Sequence, residues 1–196
     1  MRYSYRIPGF VAALLFAVGP VGAADSAKQS LPDVQPGKAQ IVFLRHTTVN
    51  ALVGTHLYDV TSGQPRLLGK VSNNRKVAID VAPGDYVLMV GNPPFLEFMK
   101  ASVLADKRYY AVIAPIWPAQ WFLRPVRKQN ATYLYSSKEV EALIKKTKYA
   151  PLVAEPVDED KARQTADFYQ ERWSKWQAKD ETEKDSYALH PEDSAN

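Results

Sequence analysis

The sequence predicts a mainly β protein, an antiparallel β-sandwich followed by two C-terminal helices. Three observations predict it. Short apolar or alternating segments recur between Ala39 and Tyr135, bounded by Gly, Pro, Asn or Asp. Helical spacing sets in only after Ser136. The chain has 196 residues and no cysteine, so its core must hold without disulfides, which a domain of this size can do.

The first element is a targeting segment. Arg2 and Arg6 precede an uncharged, mostly apolar run over residues 7–18, and Val21-Gly22-Ala23 places small residues where an export peptidase cuts. Residues 1–23 therefore read as a cleavable signal peptide. Pro8, Gly9, Gly19 and Pro20 interrupt the stretch, which is shorter than the roughly 20 apolar residues of a spanning helix. An exported chain without cysteine suits a bacterial periplasm better than a eukaryotic secretory route, where small domains are usually disulfide-bonded. The expected product is periplasmic and soluble after cleavage. Residues 24–38 read as a flexible leader.

The sandwich is expected over residues 39–135. Residues 39–45 (AQIVFLR) form a continuous apolar run, the pattern of a buried strand. Residues 55–60 and 66–71 follow, parted by the turn-forming Thr61-Ser62-Gly63-Gln64-Pro65. Residues 76–81 alternate, with Val77, Ile79 and Val81 on one face. Pro83-Gly84 predicts a turn, residues 85–90 a strand, and Asn92-Pro93-Pro94 its end. Residues 95–104 and 108–114 form a further pair, and residues 133–135 a last strand.

The helices are expected over residues 136–180. Ser136 and Glu139 are spaced as a capping box, and Val140, Leu143, Ile144 and Thr147 then share a face. A second helix over residues 158–179 opens with Asp158, Glu159 and Asp160, where the helix dipole favours negative charge. Ala162, Ala166, Tyr169, Trp173 and Trp176 recur at alternating steps of four and three, one narrow stripe. That stripe is a candidate docking surface, for the sandwich, for the first helix or for another chain. Residues 181–196 are expected to be disordered.

Charge is unevenly spread. Residues 38–150 carry sixteen Lys and Arg against seven Asp and Glu, whereas residues 151–196 carry six against twelve. A basic body with an acidic tail suits a fold-back, self-association or an acidic partner.

The residues supply no recognisable catalytic constellation. His46, His56 and His190 have no second metal-type ligand at helical or turn spacing, so no metal site is expected. No nucleophile motif and no Gly-rich phosphate cradle is present. Asp59, Asp80, Asp85, Glu97 and Asp106 mostly fall at turns or on outward faces. The expectation is a non-enzymatic protein with no cofactor.

The most unusual segment is residues 116–128 (IWPAQWFLRPVRK). Trp117, Trp121 and Phe122 interleave with Pro118 and Pro125, and Arg124, Arg127 and Lys128 follow. Aromatics beside cations suit a sugar, a proline-rich peptide or a lipid headgroup layer. These six aromatic and basic residues form the candidate binding loop. Export argues against nucleic acid.

Residues 39–114 resemble a bacterial exported domain family of unknown function, similar in style to PEGA-type β-sandwich modules. The resemblance is carried by AQIVFLR, the alternating Val77-Ile79-Val81 strand, Pro83-Gly84-Asp85-Tyr86, and Lys107-Arg108-Tyr109-Tyr110. It implies a sandwich-like fold and an envelope setting, and it supplies no catalytic residue. Many such proteins are lipoproteins; this chain lacks the lipidated cysteine. The functional expectation is a periplasmic protein-interaction or structural module with an envelope protein partner. The alternative is a small-ligand or glycan-binding domain using Trp117 and Trp121, and a membrane surface is a further possible partner.

Overall fold

The computed structural model of the chain describes residues 30–48, 51–116, 120–153 and 158–195. The expected signal peptide and its cleavage site lie outside them. The strands are β1 (Ala39–Arg45), β2 (Thr55–Asp59), β3 (Arg66–Val71), β4 (Arg75–Val81), β5 (Gly84–Asn92), β6 (Phe95–Val103), β7 (Arg108–Ile116), β8 (Gln120–Arg127) and β9 (Tyr133–Leu134). Then come α1 (Lys138–Lys146), β10 (Lys148–Tyr149), α2 (Glu159–Gln177), α3 (Glu181–Ser186) and a 3-10 turn, Pro191–Asp193.

The protein is mainly β, with two sheets and C-terminal helices, as a sandwich followed by helices requires. One sheet has the order β10-β4-β1-β7-β8-β9 and the other β3-β2-β5-β6. Most pairings are antiparallel, but β1–β7, β10–β4 and β8–β9 are parallel, so the first sheet is mixed. The reason is topological. Between β1 and β7 the chain builds β2 and β3 of the other sheet, returns as β4 on one side of β1, and leaves again for β5 and β6, so β7 meets the other side of β1 without a hairpin between them.

Hydrophobic patterning sets the layers. Ile41 and Phe43 of β1, Tyr109 and Ile113 of β7, and Leu123 of β8 face Leu57, Leu88, Val90 and Met99 of the other sheet. The intervening residues of β1, Val42 and Leu44, face outward onto Val140 and Leu143 of α1. Every residue of β1 is therefore buried, which is why residues 41–44 are apolar on both faces rather than alternating. The outer face of the second sheet carries Tyr58, Met89, Leu96 and Phe98, covered by Tyr169 with Phe168, Trp173 and Trp176 of α2. The layers run helix, sheet, sheet, helix.

The chain from α1 onward wraps the sandwich. After β10 it passes β3, where Gly69 has φ +152° and a Cβ would meet the Val153 carbonyl oxygen and the Leu152 side chain at 2.7 Å. Only glycine allows that approach. The C-terminal segment then closes the opposite side. Leu189 bridges Ala101 on the edge strand β6, donates to Lys100 O at 2.9 Å, and joins the core between the sheets.

Several expectations are corrected here. Residues 181–195 are not disordered. Asp180 caps α3 by accepting from Glu183 N, and Ala195 N donates to Arg108 O at 2.7 Å. Their few but well-placed apolar residues, Ala188 and Leu189, are buried. The leader is held at residues 30–38. Leu31 packs beneath α1, Pro32 O accepts from Arg108 at 2.6 Å, and Gly37 N donates to Asp106 at 2.7 Å. The cap of α1 is Ser137, whose hydroxyl accepts from Val140 N at 3.2 Å, one residue later than the capping-box spacing suggested.

Candidate functional site

The candidate binding loop is a strand over most of its length. Trp117 lies outside the described residues. Trp121 is buried between the sheets, as is Leu123, because β8 pairs with β7 from Gln120 to Pro125. The Arg45 guanidinium sits 4.4 Å from the Trp121 ring centroid. Trp121 is thus a core residue and offers no face to a sugar.

The cations of β8 are likewise engaged. Arg124 donates to Glu97 at 3.0 Å and stacks on Phe122 and Tyr187, with centroid distances of 4.3 and 3.9 Å. Arg127 pairs with the buried Asp193 at 3.4 Å and donates to His190 Nδ1 at 2.8 Å. Lys128 is exposed, but its backbone N–H donates to Asp193. This end of the segment anchors the C terminus.

The α2 stripe divides. Tyr169, Trp173 and Trp176 pack around Phe98, with centroid distances of 6.2, 5.4 and 5.6 Å. Trp173 and Trp176 stack on each other at 5.0 Å. Ala162 and Ala166 are exposed, and Thr165 is buried in their place. At about 100° per residue, the docked face is rotated some 40° from the stripe's centre, toward Thr165 and away from Ala166. The large rings decide which face goes down, and the two alanines follow them.

That division opens a pocket. The C-terminal half of α2 is seated on β6, while its first turns stand off from β2 and β3. The resulting cavity is 530 Å³. His56 and Tyr58 of β2 form its floor, with Leu67 and Lys70 of β3 on one side. Asp158, Ala162, Gln164 and Thr165 form the α2 wall, and Val53, Asn92 and Pro93 the rim.

His56 lies opposite Gly91, which presents no side chain on that face. A Cβ on Gly91 would meet Phe95 O at 2.0 Å, so no larger residue fits.

His56 is fixed in place. Its Nδ1 lies 2.8 Å from Asn92 Oδ1, while Asn92 Nδ2 donates to Gly54 O at 2.8 Å. The Tyr58 hydroxyl bonds Thr165 across the pocket. Burial raises the pKa of this phenol, and the Thr165 bond partly offsets that. The hydrogen bond ties the sheet to α2 at the back of the cavity.

The sequence marks Ala162 in the stripe, His56 as a histidine without a second ligand, Asp158 at the start of the second helix and Asn92-Pro93 as a strand end, but nothing in it joins them into one pocket. The pocket residues come from four separate segments, brought together only by strand register and the seating of α2. The remaining histidines are structural. His46 Nδ1 bonds Asn74, and His190 Nε2 bonds Asp185 at 2.9 Å. Among the described residues, no three His, Asp or Glu side chains converge as metal ligands, and no helix is long and apolar enough to cross a membrane.

No protein-family model matches the chain, and no curated protein matches it.

Proposed function

We propose that this chain is an exported, non-enzymatic binding module whose ligand site is the pocket between the outer face of the four-stranded sheet and the first turns of α2. The observation that carries the reading is the cavity itself. Its volume is that of a small-molecule site, and mostly apolar walls surround a few convergent polar groups, chiefly His56, Lys70, Gln164 and Thr165. The absence of a nucleophile motif in the sequence supports binding rather than turnover. Export to a bacterial envelope is proposed from the N-terminal sequence, and kinship with PEGA-type modules from the strand motifs.

A second reading is a protein-interaction module. It is favoured by Val53, half-exposed at the rim of the same pocket, and by its fully exposed neighbour Leu52. Apolar side chains in that position suit a partner's contact.

The test is native mass spectrometry of the protein isolated from its own source, followed by amide chemical-shift mapping of any retained compound. Shifts centred on His56, Tyr58 and Ala162 support the ligand site. A retained compound that perturbs only residues elsewhere overturns it. Crosslinks from Leu52 and Val53 to one protein, with the pocket unperturbed, favour the second reading.

A further inference from the structure

We infer that the ligand of this pocket is an uncharged, hydroxyl-bearing ring compound of the sugar class, and that His56 selects it by presenting Nε2 as a hydrogen-bond acceptor. The inference rests on the pocket being the ligand site proposed above.

The argument starts at Asn92. Its Nδ2 donates to Gly54 O at 2.8 Å, which fixes the amide orientation and leaves Oδ1 facing His56. An amide oxygen only accepts, so His56 Nδ1 must carry the ring proton. In a neutral imidazole the other nitrogen is then a bare acceptor. Nε2 makes no hydrogen bond among the described residues, and the ring lines the cavity. A ligand group meeting it has to donate, as a hydroxyl or an N–H does. Asn92 is the positioning residue: it acts on the ligand only by choosing the tautomer of His56.

Charge narrows the class. Lys70 on one wall and Asp158 on the other carry opposite signs, so these two lining charges cancel. The lining therefore presents no net sign that would select an anion or a cation, and an uncharged ligand with polar edges suits it. Shape narrows it further. Tyr58, Leu67 and Pro93 offer flat or apolar surfaces to a ring face, while Gln164 and Thr165 offer an amide and a hydroxyl to its edge. A sugar ring has both kinds of surface. A plain hydrocarbon chain would bury Nε2 without a donor, and an unsatisfied polar group is costly.

The experiment uses the whole chain, labelled with nitrogen-15. Long-range proton–nitrogen spectra of His56 read its tautomer directly. N-acetylglucosamine and maltose are then titrated, with glucose 6-phosphate as a charged probe and laurate as an apolar one. The expected results are an Nδ1–H tautomer, and shifts at His56 and Tyr58 with the neutral sugars only. His56→Phe keeps a flat ring without the acceptor and should weaken sugar binding about tenfold or more. Asn92→Ala should mix the tautomers of His56 and weaken binding with the rest of the spectrum unchanged. Should His56→Phe not fold, Ala162→Trp, which fills the pocket from an exposed helix position, should abolish sugar binding while His56 keeps its tautomer.

An Nε2–H tautomer in the free protein overturns the inference. So does binding of laurate or glucose 6-phosphate at His56 without binding of the neutral sugars; in that case the pocket still stands as a ligand site. If none of the probes, and no compound retained from the native source, perturbs the pocket residues, the inference and the proposed function fall together.

Discussion

The guanidinium of Arg45 stacks on the indole of Trp121, 4.4 Å from the ring centroid, inside the sandwich. Arg45 ends the buried strand β1 and is itself fully buried. Its Nη1 donates to Val71 O at 2.7 Å and its Nη2 to Val53 O. One cation thereby joins β1 and β8 of one sheet to β3 and the approach to β2 in the other. Burial pushes its pKa down to about 10, so it remains charged at neutral pH. Trp121→Ala should cost about 3–5 kcal/mol, because it opens a cavity and exposes the stacked cation. Urea denaturation is the measurement, and a double-mutant cycle with Arg45→Met should show a coupling of about 1–2 kcal/mol. Trp121→Phe should leave ligand binding at the α2 pocket unchanged, which separates this residue from the site.

The contrast between β1 and β8 shows what was legible in the sequence. Residues 39–45 read as a buried strand because apolar residues fill both faces. Residues 120–127 did not, because Pro125 and two cations, Arg124 and Arg127, obscure the same logic. Proline is tolerated there because β8 has on its far side only the two-residue β9, which pairs from Val126 onward. Arg124 and Arg127 point at Glu97 and Asp193, partners 27 and more residues away that no local pattern announces. The C-terminal segment was misread for a related reason. Its burial depends on two apolar residues and one strand edge, not on periodicity.

The seating of α2 gives the second prediction. Trp173 touches Tyr169, Trp176 and Phe98, whereas Glu171 only pairs with Lys175 one turn along the exposed face. Trp173→Ala should destabilise the docked helix by about 2–3 kcal/mol, the loss of a partly buried indole. Limited trypsin cleavage after Arg172 and Lys175 should then accelerate many-fold. Glu171→Gln should leave the cleavage rate unchanged, since an exposed pair in one helix adds little.

Tyr169 gives the third. The residue is fully buried, and its hydroxyl has no hydrogen-bond partner among the described residues. Burial accordingly raises the pKa of the phenol. Tyr169→Phe keeps the ring against Phe98 and removes a desolvated polar group. It should raise stability by about 1 kcal/mol, seen as an increase in Tm. A decrease would show that the hydroxyl has a bound partner in solution.

Leu189 gives the fourth. It fills the core beside β6 and supplies that edge strand with backbone partners on both sides, through Lys100 O and Ser102 N. Leu189→Ala should cost about 2–4 kcal/mol by cavity formation. It should also free an edge rich in apolar residues, and exposed edges recruit other chains. Size-exclusion chromatography on warming should show aggregates for the variant well before the wild type.

Glu181 ties this same edge to α3 and makes it sensitive to acid. Its Oε2 accepts from Lys100 Nζ at 2.5 Å and its Oε1 from Lys184 Nζ at 2.6 Å. The bond from Lys100, then that from Lys184, holds its carboxyl down to about 2. An unfolded glutamate titrates near 4.3. The folded value is the lower one, so the contribution is complete above roughly pH 4.3 and is lost as pH falls from there toward about 2. Lys100 also accepts through its backbone oxygen the Leu189 N–H, so the loss should appear first where the C-terminal segment meets β6. Hydrogen exchange of the Leu189 and Ser102 amides, corrected for intrinsic rates, should show protection falling through that window. In Glu181→Gln the protection should start lower and lose the part of its pH dependence that this carboxyl supplies. A wild-type profile that stays flat between about pH 4.3 and 2 would show that the two lysine bonds do not hold α3 to the sheet.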